Sequence, residues 1–156
     1  MMTGDRLHYT ACGLDNVWLM NGFERRETPH GRGFAILDAR KLHGAIARSL
    51  IVAPYRMRGQ ELRFLRAQLD LSQTALAKVL GTTRPSLARW EGRPGEKIPA
   101  YADRSLRMFY ALNAVGHVQA RKLIEMLKAM DERQHADVLF RERADDWERV
   151  PEQRAA

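Results

Sequence analysis

Apolar residues through the middle of the chain recur every three or four positions, whereas those near its start fall in short runs between glycines and polar turns. The first spacing keeps side chains on one helical face, and the second suits short strands. Leu62, Leu65 and Leu69 mark one face of a helix over 59–69, with Arg63 and Arg66 on its polar side. Leu76, Val79 and Leu80 mark an inward stripe over 73–80, where the small Ala77 leaves room for a crossing helix. Ser72 can accept a bond from an unpaired N–H at the start of that helix, and Gly81 can end it by turning left-handed at little cost. Thr83 caps the next helix, and Pro85 falls in its first turn, where a missing N–H does no harm. Leu87 and Trp90 would pin this helix inward, leaving Arg84, Ser86 and Arg89 on the other face. Two short helices, a glycine turn and an outward row of cationic donors predict a helix-turn-helix whose recognition helix is 83–90.

Nearer the N-terminus, 7–10 and 17–20 read as strands connected through 12–16. Asn21-Gly22 is a type I′ hairpin signal, with Phe23 opening the return strand. Residues 28–33 form a loop and 34–37 a last strand. Asp38 caps a helix to about residue 50, burying Leu42, Ala45, Ile46 and Leu50; Pro54 breaks the chain and 55–58 is a linker. Beyond the recognition helix, 92–99 is dense in helix breakers, and 100–113 offers Leu106, Phe109, Tyr110 and Leu112 for burial. A further amphipathic helix is expected over 117–132, with more apolar positions than one packing face needs, which favours dimerisation. The charged tail, whose large apolar groups are Val138-Leu139-Phe140 and Trp147, reads as a short helix or a disordered segment. These elements predict a mainly α chain: a small β-rich segment over 1–37, a connecting helix over 38–54, a DNA-binding helical bundle over 55–115, and a C-terminal helix and tail over 116–156.

Charge sharpens this division. The net charge is +7, and residues 51–110 hold 11 basic against 5 acidic residues, so nearly all the excess lies on the helix-turn-helix segment. A polyanion is the partner this implies, since neutralising phosphates releases condensed counterions. Charge alone would also suit RNA or an acidic membrane; the helix-turn-helix favours duplex DNA. No apolar run approaches the roughly 20 residues that span a bilayer, and the first residues lack a signal-peptide layout, so the cytoplasm is the expected location. The one cysteine, Cys12, supports neither an internal disulfide nor a cysteine-rich zinc site.

With the helices placed, 59–112 resembles the Xre/Cro/C1 family of phage repressors and bacterial regulators, through Leu71-Ser72-Gln73, Leu76-Ala77, Leu80-Gly81 and Trp90-Glu91-Gly92. The upstream stretch Tyr9-Thr10-Ala11-Cys12-Gly13-Leu14-Asp15-Asn16-Val17-Trp18-Leu19 and the helix over 42–47 are similar to MqsA-type antitoxin regulators, but the paired cysteine zinc ligands of that module are absent. The resemblance implies a lambda-repressor-like helical bundle that binds DNA as a homodimer; the zinc of the MqsA-type module is not carried over because its paired cysteines are absent, and no cofactor is expected. Gln73, beside the cap Ser72, would meet a backbone phosphate at the helix N-terminus. Arg84 and Arg89 would enter the major groove, where a guanidinium fork matches guanine. Pro85 could only touch a thymine methyl, Thr83 and Ser86 could bond phosphate or base edges, and Arg93 and Lys97 would hold phosphates. Two recognition helices about 34 Å apart would demand a palindromic operator.

Other functions fit less well. His8, His30, His43, His117 and His135 fall in no spacing with a known catalytic mechanism, and Arg32 between Gly31 and Gly33 is far short of a phosphate loop, so an enzyme is not expected. A redox role for Cys12, or a metal site with His8 and His30, is weaker than an incidental cysteine. The alternative is an antitoxin-like protein that mainly neutralises a protein toxin, with DNA binding kept for autoregulation.

Overall fold

The computed structural model describes residues 5–115, Lys122 and 135–151. The helix expected over 117–132 lies outside these residues, Lys122 apart. The chain forms two compact units, one from 1–46 with 136–156 and one from 47–135.

The first unit is built on strands from both ends of the chain. Strand β1 (Leu7–His8) pairs antiparallel with β2 (Val17–Leu19), which pairs parallel with β5 (Val138–Arg143), which pairs antiparallel with β6 (Asp146–Val150). The sheet order is therefore β1-β2-β5-β6. A separate hairpin joins β3 (Phe23–Thr28) to β4 (Gly31–Ile36). Helix α1 (Ala39–Ile51) starts under Asp38, whose carboxylate accepts from the Lys41 N–H at 3.2 Å. Alternation along the strands buries Val17, Leu19, Val138 and Phe140 with Leu14, Leu42, Ile46 and Trp147.

Three expectations for this region are overturned. The protein is not mainly α: among the described residues it holds a four-stranded and a two-stranded sheet beside five α-helices. In place of C-terminal helices or disorder, 138–150 forms strands, turned at Ala144 and Asp145, both left-handed with φ of 51° and 64°. Asn21-Gly22 does not close a hairpin between β2 and β3, which lie in different sheets. Asn21 instead donates from Nδ2 to the Glu142 carbonyl at 3.2 Å and accepts from the Glu142 N–H at 2.6 Å, lengthening the β2–β5 pairing with a side-chain amide. Gly22 has φ +75°, and a Cβ there would lie 2.4 Å from the Trp147 ring. The tight turn falls instead at Pro29-His30, within a stretch that reads as loop.

The second unit takes the end of α1, then α2 (Gly59–Gln68), α3 (Gln73–Leu80), α4 (Arg84–Glu91) and α5 (Ala100–Tyr110), whose end passes into a wider π turn at Ala111–Val115. Leu62, Leu65, Leu76, Leu80, Leu87, Ile98 and Leu106 form its apolar centre. Val79 and Leu112, expected inside, are 42% and 74% exposed, and Leu69 is half-buried. Val79 sits just before the glycine turn, where a helix of 8 residues has too few turns to bury a broad stripe.

Candidate nucleic-acid interface

The local chemistry of the two central helices follows the sequence closely. Ser72 accepts from the Ala75 N–H at 3.0 Å, Gly81 closes α3 with φ +70°, and Thr83 accepts from the Ser86 N–H at 3.3 Å. Pro85 sits in the first turn of α4, where no helical bond is lost. Leu87 is fully buried, which fixes the rotation of α4 and leaves Thr83, Arg84, Pro85 and Arg89 exposed. Thr83 also donates its hydroxyl to Ser86 Oγ at 3.0 Å, and Arg89 Nη2 lies 3.5 Å from the same oxygen. Trp90 is only half-buried and meets Tyr101 edge-on at 6.2 Å.

A network of hydrogen-bonded charges joins these helices. Glu91, the last residue of α4, receives Arg66 Nε at 2.6 Å and Arg66 Nη2 at 3.0 Å, and Gln73 Nε2 at 2.9 Å. Arg66 further donates to the Leu71 carbonyl at 3.0 Å. One carboxylate thus ties α2, α3 and α4 together, and its bond to Arg66 holds that guanidinium above its ordinary pKa. Gln73, expected to reach a phosphate, gives its amide to Glu91. The N-terminus of α3 is tied to the C-terminus of α4 as a result.

The joining segments are fastened by similar means. Glu61, 1% exposed, accepts from the Arg58 N–H at 2.6 Å and from Arg58 Nη2 at 2.6 Å, and His135 Nε2 lies 3.7 Å away. The Arg58 side chain has no acceptor to return, so this is half of a capping box. Gly59 lets α2 pass close under the end of α4, because a Cβ there would lie 2.0 Å from the Trp90 carbonyl oxygen. Arg107, with no exposure, donates to Asp103 at 3.0 Å and to the carbonyls of Leu50, Ile51, Ala53 and Tyr55. The Met57 N–H donates to the same Asp103 oxygen at 3.0 Å. Burial lowers the Arg107 pKa, partly offset by Asp103 beside it. The segment leaving α1 is thereby pinned to α5.

After α4, the loop returns alongside the start of α2. The Gly59 N–H donates to Glu96 O at 3.0 Å and the Ile98 N–H to Met57 O at 2.9 Å. Arg93 and Lys97 are exposed on this loop, with Arg93 3.3 Å from Glu96. The structure therefore brings Thr83, Arg84, Pro85, Arg89, Arg93 and Lys97 to the surface around α4, with Ser72 exposed at the start of α3 and Gln73 and Ser86 half-buried. The roles of Glu91 as a shared acceptor, of Gly59 in close packing and of Arg107 in pinning the chain were not visible in the spacing of residues. Glu91 did leave a signal, since a carboxylate at a helix C-terminus opposes the helix dipole and calls for a cationic partner.

Cys12 lies in the first unit. Its thiol donates to the Tyr9 carbonyl at 3.4 Å, and burial pushes its pKa up, which keeps it the poorly nucleophilic protonated form. Among the described residues no group of His, Cys, Asp and Glu is arranged to hold a metal ion, and no helix is long and apolar enough to cross a membrane.

Two capped helices at a glycine turn, one burying Leu87 and presenting arginines, define a helix-turn-helix DNA-binding module. Residues 62–91 match the family model described as helix-turn-helix, the Xre/Cro/C1 type, which supports a DNA-binding regulator. No curated protein and no solved structure matches the chain.

Proposed function

We propose that the protein is a dimeric, cytoplasmic transcriptional repressor, not an enzyme, which controls its own operon by laying α4 in the major groove. The observation that carries this reading is the division of α4: Leu87 fully buried on one face, Arg84, Pro85 and Arg89 exposed on the other. A helix anchored by its apolar face and angled by a buried carboxylate offers preformed donors to base edges. Arg84 and Arg89 read guanines and Pro85 meets a thymine methyl, while Arg93, Lys97 and the N-terminus of α3 behind Ser72 and Gln73 hold phosphates. A two-fold dimer then reads half-sites about one helical turn apart.

Selection of binding sites from random duplexes, with sedimentation of the complex, tests this. An inverted repeat spaced by about 10 base pairs, matched upstream of the protein's own gene and bound by two chains, is the expected result. A set of selected duplexes without a common sequence would overturn the reading.

A further inference from the structure

Just past the end of α4 the surface folds into a pocket of about 290 Å³. Arg56, Arg89, Arg93 and Lys97 line it against one carboxylate, Glu96, and Trp90, Ile98 and Pro99 supply apolar wall. Glu96 lies beside Arg93 at 3.3 Å, which leaves the concavity with a clear excess of positive charge. Arg56 adds an independent sign of a ligand. Its Nε is buried and has no hydrogen-bond partner among the described residues. A buried guanidinium donor without an acceptor is costly, and an oxyanion entering the pocket would satisfy it. The backbone around Arg56 is held firmly, because Tyr55 O accepts from buried Arg107 and the Met57 N–H donates to Asp103. A donor on a fixed backbone, with Arg93 and Lys97 lining the same pocket, grips a phosphate with little ordering cost.

We propose that this pocket is a phosphate site, with Arg56 donating from its buried side and Arg93 and Lys97 closing on the outer oxygens. The source of the phosphate rests on the DNA-binding reading above. Arg89 belongs both to the recognition helix and to the pocket wall, so a duplex on α4 brings a backbone phosphate here. A free phosphate-bearing molecule has the same chemistry and would compete with DNA.

Two measurements on the full chain decide the matter, using Arg56→Gln, Lys97→Gln, and Arg63→Gln as a control on exposed α2. In the first, melting temperature is compared in inorganic phosphate and in chloride at equal ionic strength. The expected result is extra stabilisation by phosphate in the unaltered protein and in Arg63→Gln, reduced in Lys97→Gln and lost in Arg56→Gln. In the second, binding of operator and scrambled duplexes is followed across a salt series. If DNA supplies the phosphate, Arg56→Gln lowers the slope of log K against log salt by about 0.9 and weakens both duplexes by the same factor. Loss of the phosphate effect with an unchanged slope keeps the pocket and assigns it to a free phosphate. Equal melting in phosphate and chloride, together with an unchanged slope, overturns the proposal. Failure of the unaltered protein to bind any duplex would instead count against the DNA-binding reading, and the melting series would still decide the pocket.

Discussion

The two units bury different things. Among the described residues, the buried polar and charged side chains, Gln60, Glu61, Glu91, Asp103 and Arg107, all belong to the helical unit. The sheet unit closes over apolar groups such as Leu14, Val17, Leu19, Leu42, Phe140 and Trp147. Apolar contacts tolerate sliding, whereas a carboxylate held by two partners at 2.6 and 2.9 Å accepts one arrangement. For the base-reading role we propose for α4, that restriction would hold Arg84 and Arg89 at fixed angles. The cost is vulnerability, since removing one partner strands a buried charge.

The largest effect should come from breaking that network. Glu91→Ala removes the carboxylate that Arg66 and Gln73 share, leaving Arg66 only the Leu71 carbonyl, and should destabilise the protein by about 3–5 kcal/mol in chemical denaturation. The double-mutant cycle with Arg66→Ala should show strong coupling; additive losses would mean that the network does not set the helix angles. Next comes the apolar unit's own tight point. Gly22→Ala puts a Cβ against the Trp147 ring and a side chain at φ +75°, which should cost about 3 kcal/mol. Gly81→Ala keeps only the second penalty, since nothing lies within 4 Å at φ +70°, and should cost about 1 kcal/mol. Equal losses at the two glycines would remove ring packing as the cause. Arg89→Ala should leave folding unchanged and cost about 1–3 kcal/mol on the operator, with relaxed preference at one base pair.

The smallest effect is a pH dependence in the sheet unit. His43 Nε2 lies 2.9 Å from the Tyr9 hydroxyl, and burial holds the imidazole below its ordinary value of 6.5. As pH falls through 6.5 the unfolded chain takes up this proton before the folded one does, so stability is full above that value and declines below it. The fall in denaturation midpoint between about pH 7 and pH 5.5 should be shallower in His43→Gln than in the unaltered protein.

The helical unit was legible because its signals are local. Ser72, Gly81, Thr83 and Pro85 each act within a few residues, and so α3, α4 and the exposure of Arg84 and Arg89 could be read from spacing alone. The sheet unit was not legible, because its central pairing sets Val17 beside Val138 and Leu19 beside Phe140. A three-residue apolar run such as Val138-Leu139-Phe140 looks the same in a strand as in a short helix until its partner is known. Asn21-Gly22 misled for a related reason: the left-handed glycine is there, but the ring of Trp147 and the backbone of Glu142 claim the turn instead of a neighbouring strand. The role of Gln73 was hidden in the same way, by a partner 18 residues along the chain.

The most direct test of sequence-specific DNA binding by α4 measures binding of a fluorescent duplex from upstream of the protein's own gene, against scrambled competitor, across a salt series. Tight binding that survives competitor is expected, with its loss in Arg84→Ala/Arg89→Ala while the melting temperature holds. Binding that is weak, steeply salt-dependent, indifferent to sequence and unchanged in that double variant would contradict it.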